Sequence, residues 1–574
     1  MKYIAFILAL LFTLGLADAP IAPSSASAHT PQIAQTNPAD SVPISVPIFN
    51  QLGNHHHAIS TKNSQAQRYF DQGLILTYGF NHAEALRSFQ QAATLDRTCA
   101  MCHWGIAYVL GPNINAAMED GVVPTAWEAI QKAIALKQYA SPREQAYIAA
   151  LATRYTPEPV SDRSALNLAY ANAMRQVVQQ YPDDLEAATL FSEALMDTSP
   201  WNYWAEDGTP KPEGAEIIAT LESVLKRNPK HPGALHLYIH AVEAERPELA
   251  AAAADRLRDL NINTGHLIHM PGHIYIRVGR YQDAVVANQQ AAAADAEYAR
   301  QHDPEGIYPV AYMPHNHHFL WYAAVMSGQQ QVALQAAQQT ANLVNSSLMR
   351  EAGYGTLQHY AMIPLFTAVK FGRWDEILAQ AAPAKDLVYP TGVSHFARGM
   401  AYAAKGQMQS ASQELKALEA IAASPILEGM NVSINPADHL LKNATAVLSG
   451  ELAAKQGDVE TAIAHLQKGV ELEDSLNYDE PSPWYSPVRQ TLGAVLLQAN
   501  RPAEAEQAYR EDLTTYPENG WSLYGLAQSL RAQGKTQKAE QAQTQFEQAW
   551  RYADVSLPVA QENLRSVKRQ VSRL

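Results

Sequence analysis

The clearest indication of the fold is the stretch GAVLLQANRPAEAEQAYREDLTTYPENGWSLYG, residues 493–525. Apolar and small residues recur in it at helical spacing on both sides of a turn at Asn500, which predicts two helices. Gly534 and Ala539 then follow Asn500 and Ala505 at a spacing of 34 residues. A repeat made of two antiparallel helices cannot bury its apolar faces alone and must stack on its neighbours. The stretch therefore predicts an all-α array of stacked helix pairs.

A pair of small residues recurs along the chain where such a repeat needs it. The pairs are Gly279 with Ala284, Gly328 with Ala333, Gly406 with Ala411, and Gly457 with Ala462. The glycine forms the turn between two helices, and the alanine lets the helices approach closely. We expect about eight helix pairs, divided into an N-terminal array over residues 66–345 and a C-terminal array over residues 346–560. Unequal spacings indicate that loops or irregular helices interrupt the array.

The two ends of the chain differ from this array. Residues 1–28 place Lys2 before an apolar run and then small residues, which is the pattern of a cleaved secretory signal, with an uncleaved anchor as the alternative. Residues 29–65 are rich in Pro, Ser, Asn and Gln and predict a disordered or extended linker. Residues 561–574 form a basic tail. We expect an exported protein, periplasmic or extracellular, without a stable membrane span after cleavage.

Charge and motifs limit the classes of function. The formal net charge is −14, and no dense cluster of Lys and Arg precedes the tail. Nucleic acid is not expected as a partner, because neutralising its phosphates needs clustered positive charge. The sequence has no phosphate-binding loop, dinucleotide fingerprint, nucleophile elbow or His-Glu-x-x-His motif. We expect a binding protein rather than an enzyme, although a metal ion with an open coordination position would allow hydrolytic or oxidative chemistry.

Four motifs distinguish the chain from a generic helical repeat. They are CAMCHWG at residues 99–105, GPNIN at 111–115, HMPGHIYIRVGRY at 269–281 and YDEPSPWYSPVRQ at 478–490. With these motifs the chain resembles a family of exported bacterial repeat proteins, and with its period it resembles tetratricopeptide repeat proteins in general. The resemblance implies a tetratricopeptide superhelix whose concave groove can hold a protein or peptide. It implies no particular reaction.

Histidines are concentrated in one part of the predicted groove. Ten of the twenty lie between His231 and His318. In tetratricopeptide repeats, the residues six and three before the small packing residue of the first helix, and one after it, face the groove. With Gly272 as that packing residue, all three places hold histidine. This register and the helical spacing give as candidate metal ligands His236, His240, His266, His269, His273, His315, His318 and Glu193.

The spacing of these residues suits a metal site. Histidines four residues apart share a helix face and lie close enough to bind one ion, as in the pairs His236/His240 and His269/His273. Helices of neighbouring repeats pack about 8–10 Å apart, so two pairs can complete one site. Imidazoles with a carboxylate suit Zn, Cu, Ni or Fe, and the chain has only two cysteines. We therefore predict a transition-metal site in the groove, with enough candidate ligands for two ions.

Other roles for these histidines stay open. In a plain protein-interaction scaffold they would only form buried hydrogen bonds, whereas partly protonated imidazoles would recognise an anionic peptide. The register also places His359 on the same face in a later repeat. His55, His56 and His57 lie in the linker, where they either fold back as further ligands or form a solvated turn.

The two cysteines form a second candidate site. Cys99, Cys102 and His103 match the CxxCH pattern of c-type haem attachment, in which two thioethers hold the porphyrin and the histidine ligates iron. A local disulfide between Cys99 and Cys102 in an oxidising compartment is the alternative, and metal or redox use is a third. The motif lies in a repeat helix that continues as Trp104-Gly105, with no haem-sized apolar pocket evident around it, which favours the disulfide.

Overall fold

The structure, a computed structural model, describes residues 46–557. Its regular elements are almost entirely α-helical, so the predicted all-α class is confirmed. The first part of the chain contains α1 (Ser64–Tyr78), α2 (His82–Leu95), α3 (Ala100–Val109), α4 (Val123–Ala135), α5 (Pro142–Ala152), α6 (Ser164–Gln180), α7 (Leu185–Met196), α8 (Pro212–Arg227), α9 (Pro232–Val242), α10 (Ala251–Arg258), α11 (Gly265–His269), α12 (Pro271–Arg277) and α13 (Tyr281–Gln301). The second part contains α14 (Met313–Met326), α15 (Gln330–Asn342), α16 (Gly355–Lys370), α17 (Trp374–Ala379), α18 (Val388–Ala404), α19 (Met408–Ala422), α20 (Ala437–Gln456), α21 (Val459–Asp474), α22 (Val488–Gln498), α23 (Pro502–Thr515), α24 (Gly520–Ala532) and α25 (Thr536–Ala549).

Minor elements interrupt the helices. Single 3-10 turns lie at Asp120–Val122, Lys137–Tyr139, Pro247–Ala250, Leu348–Arg350 and Pro425–Leu427, and a π turn lies at Tyr308–Tyr312. The strands β1 (Asn431–Val432) and β2 (Asn435–Pro436) form a small antiparallel hairpin before α20.

Consecutive helices pack against each other along this whole region. Many connections are short, such as residues 79–81 between α1 and α2, and a short connection makes the two helices that it joins antiparallel. Within residues 46–557 there are more pairs than the eight or so expected. Helices α5 and α17 are among those that the sequence did not indicate, since no glycine–alanine pair of the recurring spacing lies at their start.

The predicted turn and packing residues occupy the places assigned to them. The four turn glycines have φ between 71° and 82°, a region that side chains with a Cβ rarely adopt; they are Gly279, Gly328, Gly406 and Gly457. Their partner alanines have no exposed surface; they are Ala284, Ala333, Ala411 and Ala462. The sequence therefore correctly located these helix–turn–helix units.

Residues 493–525 pack around one tyrosine, Tyr509. A Cβ added to Gly493 in α22 would lie 2.5 Å from the Tyr509 ring, and one added to Gly525 in α24 would lie 2.1 Å from it. Real Cβ contacts are longer, so α22, α23 and α24 approach each other at a distance that only glycine permits.

The array curves back, so that its last helix pair contacts its middle. The indole N–H of Trp521 in α24 donates to the Val325 carbonyl at 2.9 Å. The Trp550 ring lies against Gly328, at the turn between α14 and α15. This closure brings residues 477–485, which precede α22, against the helices that carry the histidines.

An extended segment, residues 46–63, lies along α1. The Tyr69 hydroxyl donates to the Val46 carbonyl at 2.6 Å, and the Gln72 side chain accepts from the Phe49 N–H at 2.8 Å. These bonds hold the described part of the predicted linker on the array.

Two predicted segments, the signal at residues 1–28 and the basic tail at 561–574, lie outside the described residues. Among the helices within residues 46–557, none combines the length and the apolar character that crossing a membrane requires.

Candidate metal centre

Four helices bring six of the predicted ligands into one cluster. Helix α9 carries His236 and His240, α11 carries His266 and His269, α12 carries His273 and α14 carries His315. The ligand atoms of His236, His240 and His266, which we call the first triad, lie within 4.8 Å of one another. Those of His269, His273 and His315, the second triad, do so as well. We call the two triads together the histidine cluster.

Within each triad, two imidazole nitrogens face each other at close range. Nε2 of His236 lies 3.2 Å from Nε2 of His266, and Nε2 of His269 lies 2.7 Å from Nε2 of His273. Two nitrogens bound to one tetrahedral zinc at about 2.0–2.1 Å lie about 3.3 Å apart. The cluster therefore has the dimensions to hold one ion in each triad after small side-chain adjustments.

One carboxylate orients a ring in each triad. Glu243 directly follows α9, and its side chain has no exposed surface. Its Oε1 lies 2.6 Å from Nδ1 of His240, and its Oε2 lies 2.6 Å from Nδ1 of His273. A carboxylate only accepts, so both Nδ1 atoms carry hydrogen, and in the neutral rings both Nε2 lone pairs are free to bind a metal.

Asn288 of α13 orients a third ring in the same way. Its Nδ2 donates to the Ala284 carbonyl at 2.8 Å, so its Oδ1 faces Nδ1 of His269, 2.6 Å away. Nδ1 of His269 therefore carries the hydrogen, and Nε2 faces the cluster as a lone pair.

Aromatic rings exclude water from the cluster. Phe80 packs on the rings of the first triad, with its centroid 4.7 Å from that of His236. Phe319 packs on the second triad, 4.4 Å from His273 and 4.7 Å from His269. Trp201 lies edge-to-face with His240 at 5.1 Å. In such surroundings, interactions with a charged ion are only weakly screened.

Burial sets the protonation of the cluster. Burial lowers the pKa of every histidine in the cluster except His273, and neighbouring imidazoles lower it further. These rings stay neutral, which is the form that binds metal. Despite burial, the carboxylates of Glu243 and Glu480 raise the pKa of His273 to about 10. Burial and the nearby Glu243 raise the pKa of Glu480 well above its usual range.

The cluster lies in the interior and not on an open groove, which corrects the expected location. No ring in it exceeds 6% exposure. Residues 477–485 fill the place where open space was expected, with the Tyr478 hydroxyl 3.2 Å from Glu243 and Glu480 Oε2 3.2 Å from Nδ1 of His273. The closure of the array brings this segment there.

Glu193 does not belong to the cluster, contrary to its prediction as a ligand. Helix α7 turns this side chain toward α3, where it accepts a hydrogen bond from the Tyr108 hydroxyl. Burial and the neighbouring Asp197 raise the pKa of Glu193 to about 7. Asp197 in turn forms a buried ion pair with Arg154 at 2.5 Å.

His318 also lies outside the two triads. Its ring stacks on Trp321, with centroids 5.2 Å apart, and contacts His359 at 5.8 Å. His359 is buried as well, and its Nδ1 lies 2.8 Å from the Tyr389 hydroxyl. Both are core residues of the neighbouring repeats.

The extended segment that carries His55, His56 and His57 folds back against the array, but it places His55 beside Glu186 in α7 and not in the histidine cluster. Nε2 of His55 lies 2.9 Å from a carboxylate oxygen of Glu186 in α7, and Nε2 of His231 lies 3.4 Å from the same oxygen. Nδ1 of His231 accepts the N–H of Ala234 and so caps α9. This group ties the extended segment to α7 and α9.

Cys99 and Cys102 form a disulfide. A sulfur atom in a disulfide cannot also form a thioether to haem, so this arrangement corresponds to the disulfide alternative and not to haem attachment. Cys99 caps the start of α3, and both cysteines have no exposed surface. Burial lowers the pKa of the neighbouring His103.

Two carboxyl groups at the cluster, Glu243 and Glu480, were not predicted from the sequence. Glu243 lies three residues after His240, a spacing that places both on one helix face and that offered a signal. Glu480 lies 207 residues after His273, within the motif YDEPSPWYSPVRQ, and no local pattern connects the two.

Comparisons with known proteins identify one repeat segment and several similar chains. Residues 442–518 match the family described as tetratricopeptide repeat. Among solved structures, the chain is similar to the APC/C hetero-tetramer Cut9–Hcn1, with 15% identity, coverage of 81% of this chain and 76% of that chain, and a TM-score of 0.30. It is also similar to the human IFIT1 dimer with m7Gppp-AAAA, with 11% identity, coverage of 86% and 91%, and a TM-score of 0.29. No curated protein matches the chain in sequence.

Proposed function

We propose that this tetratricopeptide repeat protein binds transition-metal ions, one in each triad of the histidine cluster. Imidazole ligands suit Zn, Cu, Ni or Fe. Glu243 and Asn288 would hold the ligating rings in place from outside, as carboxylates and carbonyls do around zinc-bound histidines. Repeat proteins of this kind typically bind proteins or peptides, so the ion would be sequestered, sensed or delivered to a partner.

One observation carries this proposal: buried Nε2 lone pairs converge where the described protein offers them no donor. Nε2 of His240 has no hydrogen-bond partner among the described residues. Nε2 of His269 and His273 face each other, although the partners of their Nδ1 atoms leave both as lone pairs in the neutral rings. A buried polar atom without a hydrogen-bond partner lowers the stability of the fold. A cation bound between these Nε2 atoms would remove this cost for several of them together.

A proton is the competing cation. The raised pKa of His273 makes its ring an imidazolium when no metal is bound, and that ring then donates to His269. One proton still leaves Nε2 of His240 without a partner. A plain interaction scaffold would use only the proton, so metal content separates the two functions.

Export is part of the proposal. The signal-like pattern of residues 1–28 supports it. The pairing of Cys99 with Cys102 accords with it, because disulfides persist in oxidising compartments.

The variant His269→Ala/His273→Ala tests the proposal. We expect the second triad to lose its ion while far-UV circular dichroism stays unchanged. Elemental analysis measures the metal content of the wild type and of the variant, each purified from its native compartment. The matched control is His395→Ala/His465→Ala, which also removes two imidazoles but lies in the distant repeats α18 and α21.

Two results would count against a metal function. One is wild-type protein that holds no metal, both as purified and after reconstitution with Zn²⁺, Cu²⁺, Ni²⁺ and Fe²⁺. The other is equal metal content in the double variant and its control. If the double variant fails to fold, His240→Ala tests the first triad instead; it removes one ring and the hydrogen bond from its Nδ1 to Glu243.

A further inference from the structure

A cavity of about 430 Å³ lies where closure of the array brings α12 and α14 opposite α22 and α23. The rings of Tyr322, Tyr478 and Tyr516 and the aliphatic side chains of Ile276 and Leu476 form part of its wall. The volume is that of a site for a small molecule, and these surfaces suit an apolar group of a ligand.

One buried carboxylate lies in the wall of this cavity. Asp512 of α23 is only 1% exposed. Its Oδ2 accepts hydrogen bonds from three donors, on Ser522, Gln490 and Asn519. Burial raises the pKa of this carboxyl group, whereas the three donors and Lys370 lower it. Hydrogen bonds of this kind favour the charged form of a carboxyl group.

The other oxygen of Asp512, Oδ1, has no hydrogen-bond partner among the described residues. Lys370 acts on Asp512 through its charge but forms no ion pair with it. Its Nζ bonds instead to the Ser486 hydroxyl at 2.8 Å and to Oε1 of Gln490 at 2.9 Å. A buried charged oxygen without a donor costs free energy. A ligand that brings a positively charged donor to Oδ1 would remove this cost.

A positive charge lies in another part of the same wall. The guanidinium of Arg277 bonds through Nε and Nη2 to the carbonyls of Glu243 and Ala244, at 3.3 and 3.0 Å. It also packs on the Tyr478 ring, 5.3 Å from its centroid. Its charge reaches Glu245, but that carboxyl group lines a neighbouring cavity and forms no ion pair with it. An arginine stays charged at any ordinary pH, so this group is a fixed cation without a carboxylate partner among the described residues.

The remaining charged groups of the wall offset each other or carry less than a full charge. Arg489 forms an ion pair with Asp474 at 2.6 Å. Burial raises the pKa of Glu473 to about 8 and that of Asp479 to about 7, so neither is fully ionised at pH 7. The carboxylate on α23 and the guanidinium on α12 therefore remain as opposite charges without ion-pair partners.

These two charges lie in the same part of the cavity. Burial raises the pKa of the Tyr516 hydroxyl, Asp512 raises it further and Arg277 lowers it. Both charges therefore act on one hydroxyl group of the wall.

We propose that this cavity binds a small zwitterion, an amino acid with an apolar side chain. Its ammonium group would donate to Oδ1 of Asp512, its carboxylate would accept from the guanidinium of Arg277, and its side chain would pack on the tyrosine rings. A ligand with a single charge would leave the opposite charge of the cavity unpaired. The site does not depend on the metal proposal, because neither charged group belongs to the histidine cluster.

L-Leucine and two analogues that each lack one charge test the site on the full chain. 3-Methylbutan-1-amine lacks the carboxylate, and 4-methylpentanoate lacks the ammonium group. Isothermal titration calorimetry at pH 7 should show saturable binding of leucine, at least about tenfold tighter than that of either analogue. L-Methionine and L-phenylalanine are titrated in the same way. Metal-free and metal-loaded protein are used in parallel, so absence of metal binding would count against the metal proposal alone.

The variant Asp512→Asn keeps an acceptor for the three donors and puts an NH₂ group in the place of Oδ1. It should bind leucine at least about tenfold more weakly than the wild type. The control Asp375→Asn makes the same change at a side chain of α17 that is 90% exposed, and it should have no effect. If Asp512→Asn fails to fold, Arg277→Met replaces it and should bind leucine no more tightly than 3-methylbutan-1-amine. Equal binding of leucine and its analogues, unchanged affinity in the folded variant, or no saturable binding of leucine, methionine and phenylalanine would overturn the proposal.

Discussion

Replacing Glu243 by Gln tests how the two triads are connected. The carboxylate accepts from Nδ1 of His240 and Nδ1 of His273, each at 2.6 Å. A Gln side chain has the same shape but only one acceptor oxygen, so its NH₂ group faces one of these N–H groups, and that ring must turn or change tautomer. Loss of a residue that hydrogen-bonds to a metal-ligating histidine weakens metal binding about 10- to 100-fold, which corresponds to about 1.4–2.7 kcal/mol of binding free energy.

A competition titration measures this effect. Zn²⁺ is added to metal-free Glu243→Gln protein in the presence of a chromophoric chelator, and the affinity is compared with that of the wild type. Glu222→Gln is the matched control, because Glu222 lies on α8 and only accepts from the Tyr238 hydroxyl. Wild-type affinity in a correctly folded Glu243→Gln variant would refute the role given to this carboxylate.

Three further predictions concern the stability of the array. Arg154→Met leaves Asp197 buried without its partner and should destabilise the fold by about 3–5 kcal/mol in urea unfolding. Gly493→Ala places a Cβ 2.5 Å from the Tyr509 ring and should cost about 1–3 kcal/mol, seen as a lower Tm, whereas an unchanged Tm would contradict the close packing of α22 on α23. Burial lowers the pKa of Lys370 to about 7, from about 10.4 when unfolded, so the unfolded state binds more protons between these values. The free energy of unfolding of the wild type, relative to that of Lys370→Met, should therefore rise between pH 7 and about pH 10. A difference between the two proteins that stays constant over this pH range would contradict the prediction.

The fold was largely predictable because its signals are local. Turn glycines such as Gly279 and Gly457 have the positive φ expected of them, and the small residues Gly493 and Gly525 lie where helices approach closely. The pairs without these signals were missed, and α17 shows why: it has only six residues and no small residue at the expected place.

The candidate site was only partly predictable because it depends on closure of the array. The register of a single repeat placed His266, His269 and His273 on one face, and the rings of His266 and His273 both lie next to the ring of His269. The same register placed Glu193 there, but α7 turns it toward Tyr108. No period in the sequence encodes how far the array curves, so the contact of Glu480 with the cluster and the resulting burial had no local signal.

Anomalous diffraction at the absorption edge of the bound metal would test the metal proposal at its position in the protein. For metal-loaded crystals we predict one peak in each triad, at about 2.0–2.1 Å from ligating nitrogens that include Nε2 of His240 and Nε2 of His269. Loaded protein with no peak within reach of these rings, or with peaks only at surface residues, would contradict the account of the cluster as a metal centre.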